Sequence, residues 1–192
     1  MIIICINRPQ DTHRAANIRE WWAPHGEVLF MPATVAEECE PEQSVRPGRI
    51  LVPGEVATRK SHNRAIRLIR DIGKTCCMIE DDARPLPGFA WPEFHGTTRL
   101  QLEGRPGRDH YGGAAQLVGV DCQEIPDGHA ADWWPPGYPI ERLDRYIVEH
   151  GAPDSTTVEG RPGNHRTLEI PPGQARAETP PPPPAAQITS TG

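Results

Sequence analysis

Residues 57–73, "ATRKSHNRAIRLIRDIG", run without a break into "TCCMI", and this pairing constrains the fold more than any other stretch of the chain. Ala65, Ile66, Leu68, Ile69 and Ile72 recur at helical spacing and fall on one side of a helix studded with Arg. Gly73 stands where a helix C-terminus favours the left-handed conformation, and the short apolar run that follows predicts a strand. Upstream, "IIICI" at residues 2–6, bounded by Asn7, Arg8 and Pro9, predicts another buried strand. Asp11 or Thr12 can cap a helix through Trp22, ended by Pro24 and Gly26, with Trp21 and Trp22 as core residues. "EVLFMPA" predicts a second strand and "RILVPG" a third, short one. Strands alternating with helices predict an α/β fold whose mainly parallel sheet is flanked by helices.

At 192 residues, with 36% hydrophobic content, the chain is expected to form one domain over residues 1–170. From residue 171 the composition changes to "PPGQARAETPPPPPAAQITSTG", which has no apolar period and is expected to be a disordered Pro-rich tail. Its run Pro180 to Pro184 favours a polyproline II rod, which acts either as a spacer or as a ligand for a partner's aromatic groove. The net charge of -6 gives no general attraction to nucleic acid or to an anionic membrane. No apolar run approaches the roughly 20 residues of a membrane span, and "MIIICINRP" lacks the marks of a signal peptide, so a cytoplasmic location is expected. The five cysteines, Cys5, Cys39, Cys76, Cys77 and Cys122, show no metal-site spacing and are expected to be reduced packing residues.

Directly behind "TCCMI" stand Glu80, Asp81 and Asp82. Three adjacent carboxylates repel one another, but ligands of open α/β sheets sit beyond the carboxyl ends of the strands, and a divalent cation reverses the sign of that repulsion. Hard oxygen ligands suit Mg²⁺ or Mn²⁺ shared with substrate phosphates. A solvated acidic turn accounts for the triplet alone equally well.

The surrounding stretch "SHNRAIRLIRDIGKTCCMIEDDARPLPGF" resembles glycosyltransferase family 25, the lipopolysaccharide and procollagen galactosyltransferase-like enzymes, in which a Ser-His pair opens a helix leading to a strand that ends in Glu-Asp-Asp. "IIICINRPQDTHRAANI" followed by "FMPAT" is similar to that family's opening strand with its Asn and its spaced Asp and Arg. "YGGAAQLVG" resembles its small-residue turn and strand, and "YPIERLDRYIVEHG" its segment with an Asp on a helix. The resemblance implies a GT-A type, nucleotide-sugar-binding domain and a metal-dependent, inverting transfer of a sugar from a nucleotide-sugar donor, a UDP-sugar first, to a hydroxyl acceptor.

On that basis Asp82 first and Glu80 second are the expected metal ligands, because alternation along a strand sends Glu80 and Asp82 to one face and Asp81 to the other. Asn7, Arg8, Arg14, Ser61, His62 and Asp81 are the expected donor-binding residues. Arg8 and Arg14 can pair with phosphate and Asn7 with base or ribose, while Ser61 and His62 are expected at the start of their helix, where N–H groups hold an anion. Arg64, Arg67 and Arg70 share a face that points either to phosphate or to solvent. Asp144 is the expected general base, with Glu141 one helical turn earlier as the alternative. Trp133, Trp134 and Tyr138 can stack on sugar rings or anchor a Pro-rich loop. Two other functions stay open on the residues alone: a binding module that has lost transfer, and a different metal-dependent nucleotidyl or phosphoryl enzyme.

Overall fold

The computed structural model describes residues 1–94, 98–102, 114–131, 141–143 and 147–150. Strand β1 (Ile2–Asn7) leads into helix α1 (Thr12–Trp22) and strand β2 (Glu27–Pro32). The two-residue strands β3 (Glu42–Gln43) and β4 (Ile50–Leu51) form a small antiparallel pair ahead of helix α2 (Pro53–Ile72). Strands β5 (Cys76–Glu80), β6 (Ala83–Pro85), β7 (Arg99–Gln101), β8 (Ala115–Val118), β9 (Glu141–Arg142) and β10 (Val148–His150) follow.

The main sheet has the order β2-β1-β5-β8-β7-β9. Both β2 and β5 run parallel to β1, β8 is antiparallel to β5, β7 is antiparallel to β8, and β9 is parallel to β7, so β8 is the one reversed strand of the six. The expected mainly parallel sheet is therefore present. Next to the edge strand β2 lies β1, whose Ile3, Ile4, Cys5, Ile6 and Asn7 are all buried, as a strand covered on both faces requires. Ile3 and Cys5 join Cys77, Ile79 and the α1 residues Ile18 and Trp22 in one cluster. Ile4 and Ile6 join Cys76, Met78 and the α2 residues Ala65, Ile66 and Ile69 in the other. Each helix thus covers one face, and the period-2 alternation of β1 and β5 decides which residues meet which helix. All five cysteines are buried and free, as expected.

Geometry requires glycine at two positions that follow the helices. Gly73 ends α2 at φ 73, and a Cβ on Gly26 would stand 2.3 Å from the Met1 carbonyl oxygen, where β2 begins to pair with β1.

Two expectations about helices are corrected. Asp11 does not cap α1 with its side chain; its carboxylate accepts instead from Arg8 Nε at 2.8 Å. Helix α2 begins at Pro53, earlier than the segment singled out in the sequence, because proline suits the first helical position and the Glu55 carboxylate accepts the Val52 N–H at 3.1 Å. "RILVPG" accordingly gives up its last residues to the helix, and only Ile50–Leu51 remain a strand. The Pro-rich tail lies outside the described residues.

Candidate functional site

The carboxyl ends of β1 and β5, neighbours in the sheet, bring Asn7 beside the acidic triplet. Strand alternation places Asn7 on the α1 side of the sheet and Glu80 on the α2 side, and Asp81, in the turn after β5, reaches the α1 side through its bonds to Asn7 and Arg14. Asp81 and Glu80 each meet a partner from the helix that covers that face.

On the α1 side, Arg14 projects from the first turns of the helix and is only 4% exposed. Its Nη1 donates to Asp81 Oδ1 at 2.8 Å, and Asn7 Nδ2 donates to Asp81 Oδ2 at 3.0 Å, so both carboxylate oxygens are engaged. Burial pushes the Asp81 carboxyl above its ordinary range, against the pull of the Arg14 guanidinium and the Asn7 amide. For Arg14, burial acts against the cation, but the bond to Asp81 and the negative field of Asp81, Asp82 and Asp11 prevail and raise its pKa. Beneath them, burial raises the Cys5 thiol well above its ordinary value, and the charges of Asp81, Asp82 and Glu80 push the same way.

On the α2 side, His62 Nε2 lies 3.1 Å from Glu80 Oε1. A carboxylate only accepts, so the ring hydrogen of this bond sits on Nε2. The His62 side chain is 1% exposed and that of Glu80 is 26% exposed. His62 Nδ1 is buried and has no hydrogen-bond partner among the described residues.

Asp82 is 3% exposed and lies past the end of β5, in a turn. Asp81 meets Arg14 of α1 and Glu80 meets His62 of α2. The placement of Asp82 on Glu80's face by strand alternation does not apply, because the strand stops at Glu80.

Ser61 and His62 do not stand at a helix start. They lie in the middle of α2, both buried, so no ring of free N–H groups surrounds them and the anion-holding helix end expected there is absent. Ser61 Oγ donates to the Ala57 carbonyl at 2.9 Å and accepts the Thr34 N–H at 2.8 Å, which ties the segment after β2 to α2. Arg8 is exposed enough to reach a ligand, its side chain being 37% accessible, and pairs with Asp11 at 2.8 Å. The face of Arg64, Arg67 and Arg70 serves the fold. Arg64 donates to the Pro32 carbonyl, Arg67 and Arg70 both pair with Glu124 at 3.3 Å, and Arg70 also donates to the Cys122 carbonyl.

The described residues of "YPIERLDRYIVEHG" do not form the helix expected there. Glu141–Arg142 and Val148–His150 are strands, with Glu141 paired to Leu100 at the edge of the sheet. Asp144, Trp133, Trp134 and Tyr138 lie outside the described residues, and nothing is described of the Glu141 side chain beyond its place in β9. Sequence reasoning gave Arg14 and Asn7 to the ligand and missed that they hold Asp81. No local signal announces such a pairing across 67 and 74 residues.

A hard divalent cation bound with a nucleotide needs only one or two protein carboxylates, the remaining ligands being phosphate oxygens and waters. Both oxygens of Asp81 are engaged by Arg14 and Asn7, and Glu80, which His62 meets through Oε1, stands with Asp82 at the same strand end as the expected ligands. Among the described residues no group of three His, Cys, Asp or Glu side chains converges as a metal centre.

No family model matches the chain, and no curated protein matches it. Among solved structures, it is similar to a variant of Drosophila β-1,4-galactosyltransferase 7 in complex with manganese, UDP-Gal and xylobiose. The identity is 14% and the TM-score 0.41, with 78% of this chain and 69% of that chain covered. No helix among the described residues is long and apolar enough to cross a membrane.

Proposed function

We propose that the chain is a metal-dependent glycosyltransferase of the GT-A type, moving a sugar with inversion from a nucleotide-sugar donor, a UDP-sugar first, to a hydroxyl acceptor. The observation that carries this reading is the gathering of Asn7, Arg14 and the triplet Glu80, Asp81, Asp82 at the carboxyl ends of adjacent parallel strands, the edge where open α/β sheets bind ligands. The resemblance of the segment from Ser61 to Asp82 to glycosyltransferase family 25 points the same way.

Asp82 and Glu80 would hold Mn²⁺ or Mg²⁺, which neutralises the charge that grows on a departing diphosphate. His62 fixes the orientation of Glu80 from inside α2. Arg14 and Asn7 hold Asp81 at the strand end, where its charge adds to the field of its neighbours. Arg8 exchanges Asp11 for phosphate when donor enters.

Isothermal titration with UDP, UDP-galactose and a nucleoside triphosphate, each with and without Mn²⁺, tests the reading. Saturable UDP-galactose binding that tightens with metal is expected. Absence of any nucleotide binding would favour the binding module, and preference for the triphosphate a nucleotidyl or phosphoryl enzyme. Asp82→Asn is expected to abolish the metal dependence and weaken donor binding about 10- to 100-fold in the presence of Mn²⁺, since a hard anionic ligand is lost. Parent-like titrations of this variant would take the metal role away from Asp82.

A further inference from the structure

Away from the strand ends, an open groove of about 350 Å³ lies between the end of α1 and the segment after β6. Trp21, His25, Arg84, Pro85, Leu86 and Phe89 line it. Its aromatic wall is built in advance. Fully buried Trp22 donates its indole N–H to the Ala83 carbonyl at 2.8 Å and holds Phe89 edge-on, with ring centres 5.4 Å apart. Phe89 in turn stands 4.6 Å from His25 and 4.8 Å from Trp91, whose indole N–H donates to the His25 carbonyl. Trp21 and Phe89 are half-buried, and the exposed Arg84 has its guanidinium 5.4 Å from the Trp21 ring centre. The nucleotide-sugar reading uses none of these residues.

We propose that this groove is the docking site of the chain's own segment Pro180 to Pro184, bound as a polyproline II rod. The chain leaves the described region beside the groove. Strand β10 pairs with β6 so that Val148 faces Pro85, Glu149 faces Arg84 and His150 faces Ala83. Two of the groove's residues are thus bonded neighbours of the last described strand. Twenty-nine residues lie between His150 and Pro180, and a flexible linker of that length would span about 30 Å, enough for the proline run to reach the groove.

Five successive prolines are already extended and have no N–H groups to satisfy, and grooves lined by aromatic rings are the recurring receptors for such rods. Glu178, two positions before the first proline, carries the charge opposite to that of Arg84 at the groove. Tethering gives the segment an effective concentration in the mM range, so a contact of about mM affinity suffices for substantial occupancy. The inference stands independently of the transfer reaction proposed above.

The test compares amide and indole ¹H–¹⁵N spectra of the full chain with those of a chain ending at Gln174. The Trp21 indole resonance, assigned with Trp21→Phe, is expected to move on truncation. A peptide covering residues 175–187, added to the shortened chain, is expected to return it saturably. A full-length variant with each of Pro180 to Pro184 replaced by Ser is expected to match the shortened chain, and this variant leaves the folded region untouched. Coincident Trp21 resonances in all three proteins would overturn the proposal. A full-chain shift that grows with protein concentration would also overturn it, because the occupant would then be the tail of a second copy.

Discussion

Replacing Arg14 with Leu is expected to lower stability at neutral pH by about 3 to 5 kcal/mol, the usual cost of removing one partner of a buried ion pair. The pair is well shielded, with side-chain exposure of 5% for Arg14 and 14% for Asp81. Leucine fills part of the vacated space but leaves Asp81 as a carboxylate held by Asn7 alone among the contacts described above. The loss should therefore depend on pH in a definite direction. Burial already holds the Asp81 carboxyl above its ordinary range, and removing the Arg14 bond and charge raises it further. An acid whose folded pKa lies above its unfolded value penalises the fold wherever it is ionised. The penalty is full above the folded pKa and fades as pH falls through it. The gap between parent and Arg14→Leu is thus expected to narrow from pH 7 toward the ordinary carboxylate range near about 4. Urea unfolding across that range measures it, and the double variant Arg14→Leu, Asp81→Asn should recover most of the loss at pH 7 by removing the stranded charge. A loss under about 1 kcal/mol for Arg14→Leu, with no pH trend, would mean that the pair holds nothing together.

What could be read in advance and what could not divides along physical lines. Strands β1 and β5 were legible because a strand covered on both faces must be an unbroken apolar run, and "IIICI" and "TCCMI" are such runs. The direction of Glu80 follows from the period of two along β5, whereas Asp81 and Asp82 lie in the turn beyond the strand, where that period no longer applies. The start of α2 was misread because Pro53 and Gly54 carry turn signals that also suit the first turn of a helix, and Ser61, eight positions after Pro53, stands with His62 in a helix middle and not at its end. The reversal of β8 is invisible locally, since "AQLV" packs as well in either direction and its neighbours in the sheet decide. Pairings such as Arg14 with Asp81, or Arg59 with Glu42 and Asp127, depend on distant segments meeting, and composition holds no trace of them.

Asp144→Asn is expected to slow transfer about 10²- to 10⁴-fold while leaving nucleotide binding unchanged, if the resemblance to glycosyltransferase family 25 carries its acceptor-side Asp to this position. A positioned base takes the proton from the acceptor hydroxyl as the new glycosidic bond forms. Its amide cannot accept that proton, yet the donor's diphosphate is held elsewhere, so the loss falls on turnover and spares donor affinity. Glu141→Gln is the matched comparison, and the structure changes what it tests. On a helix the two acids would be neighbours three residues apart and nearly interchangeable. Glu141 stands instead in β9, paired with Leu100, and so does not lie on the helix that made the two acids alternatives. Their variants should accordingly differ sharply, with Glu141→Gln close to the parent. Release of nucleoside diphosphate, followed with the same donor and acceptor for the parent and both variants, decides between them. Full turnover in Asp144→Asn with loss in Glu141→Gln transfers the role to the strand residue, and full turnover in both places the base on neither.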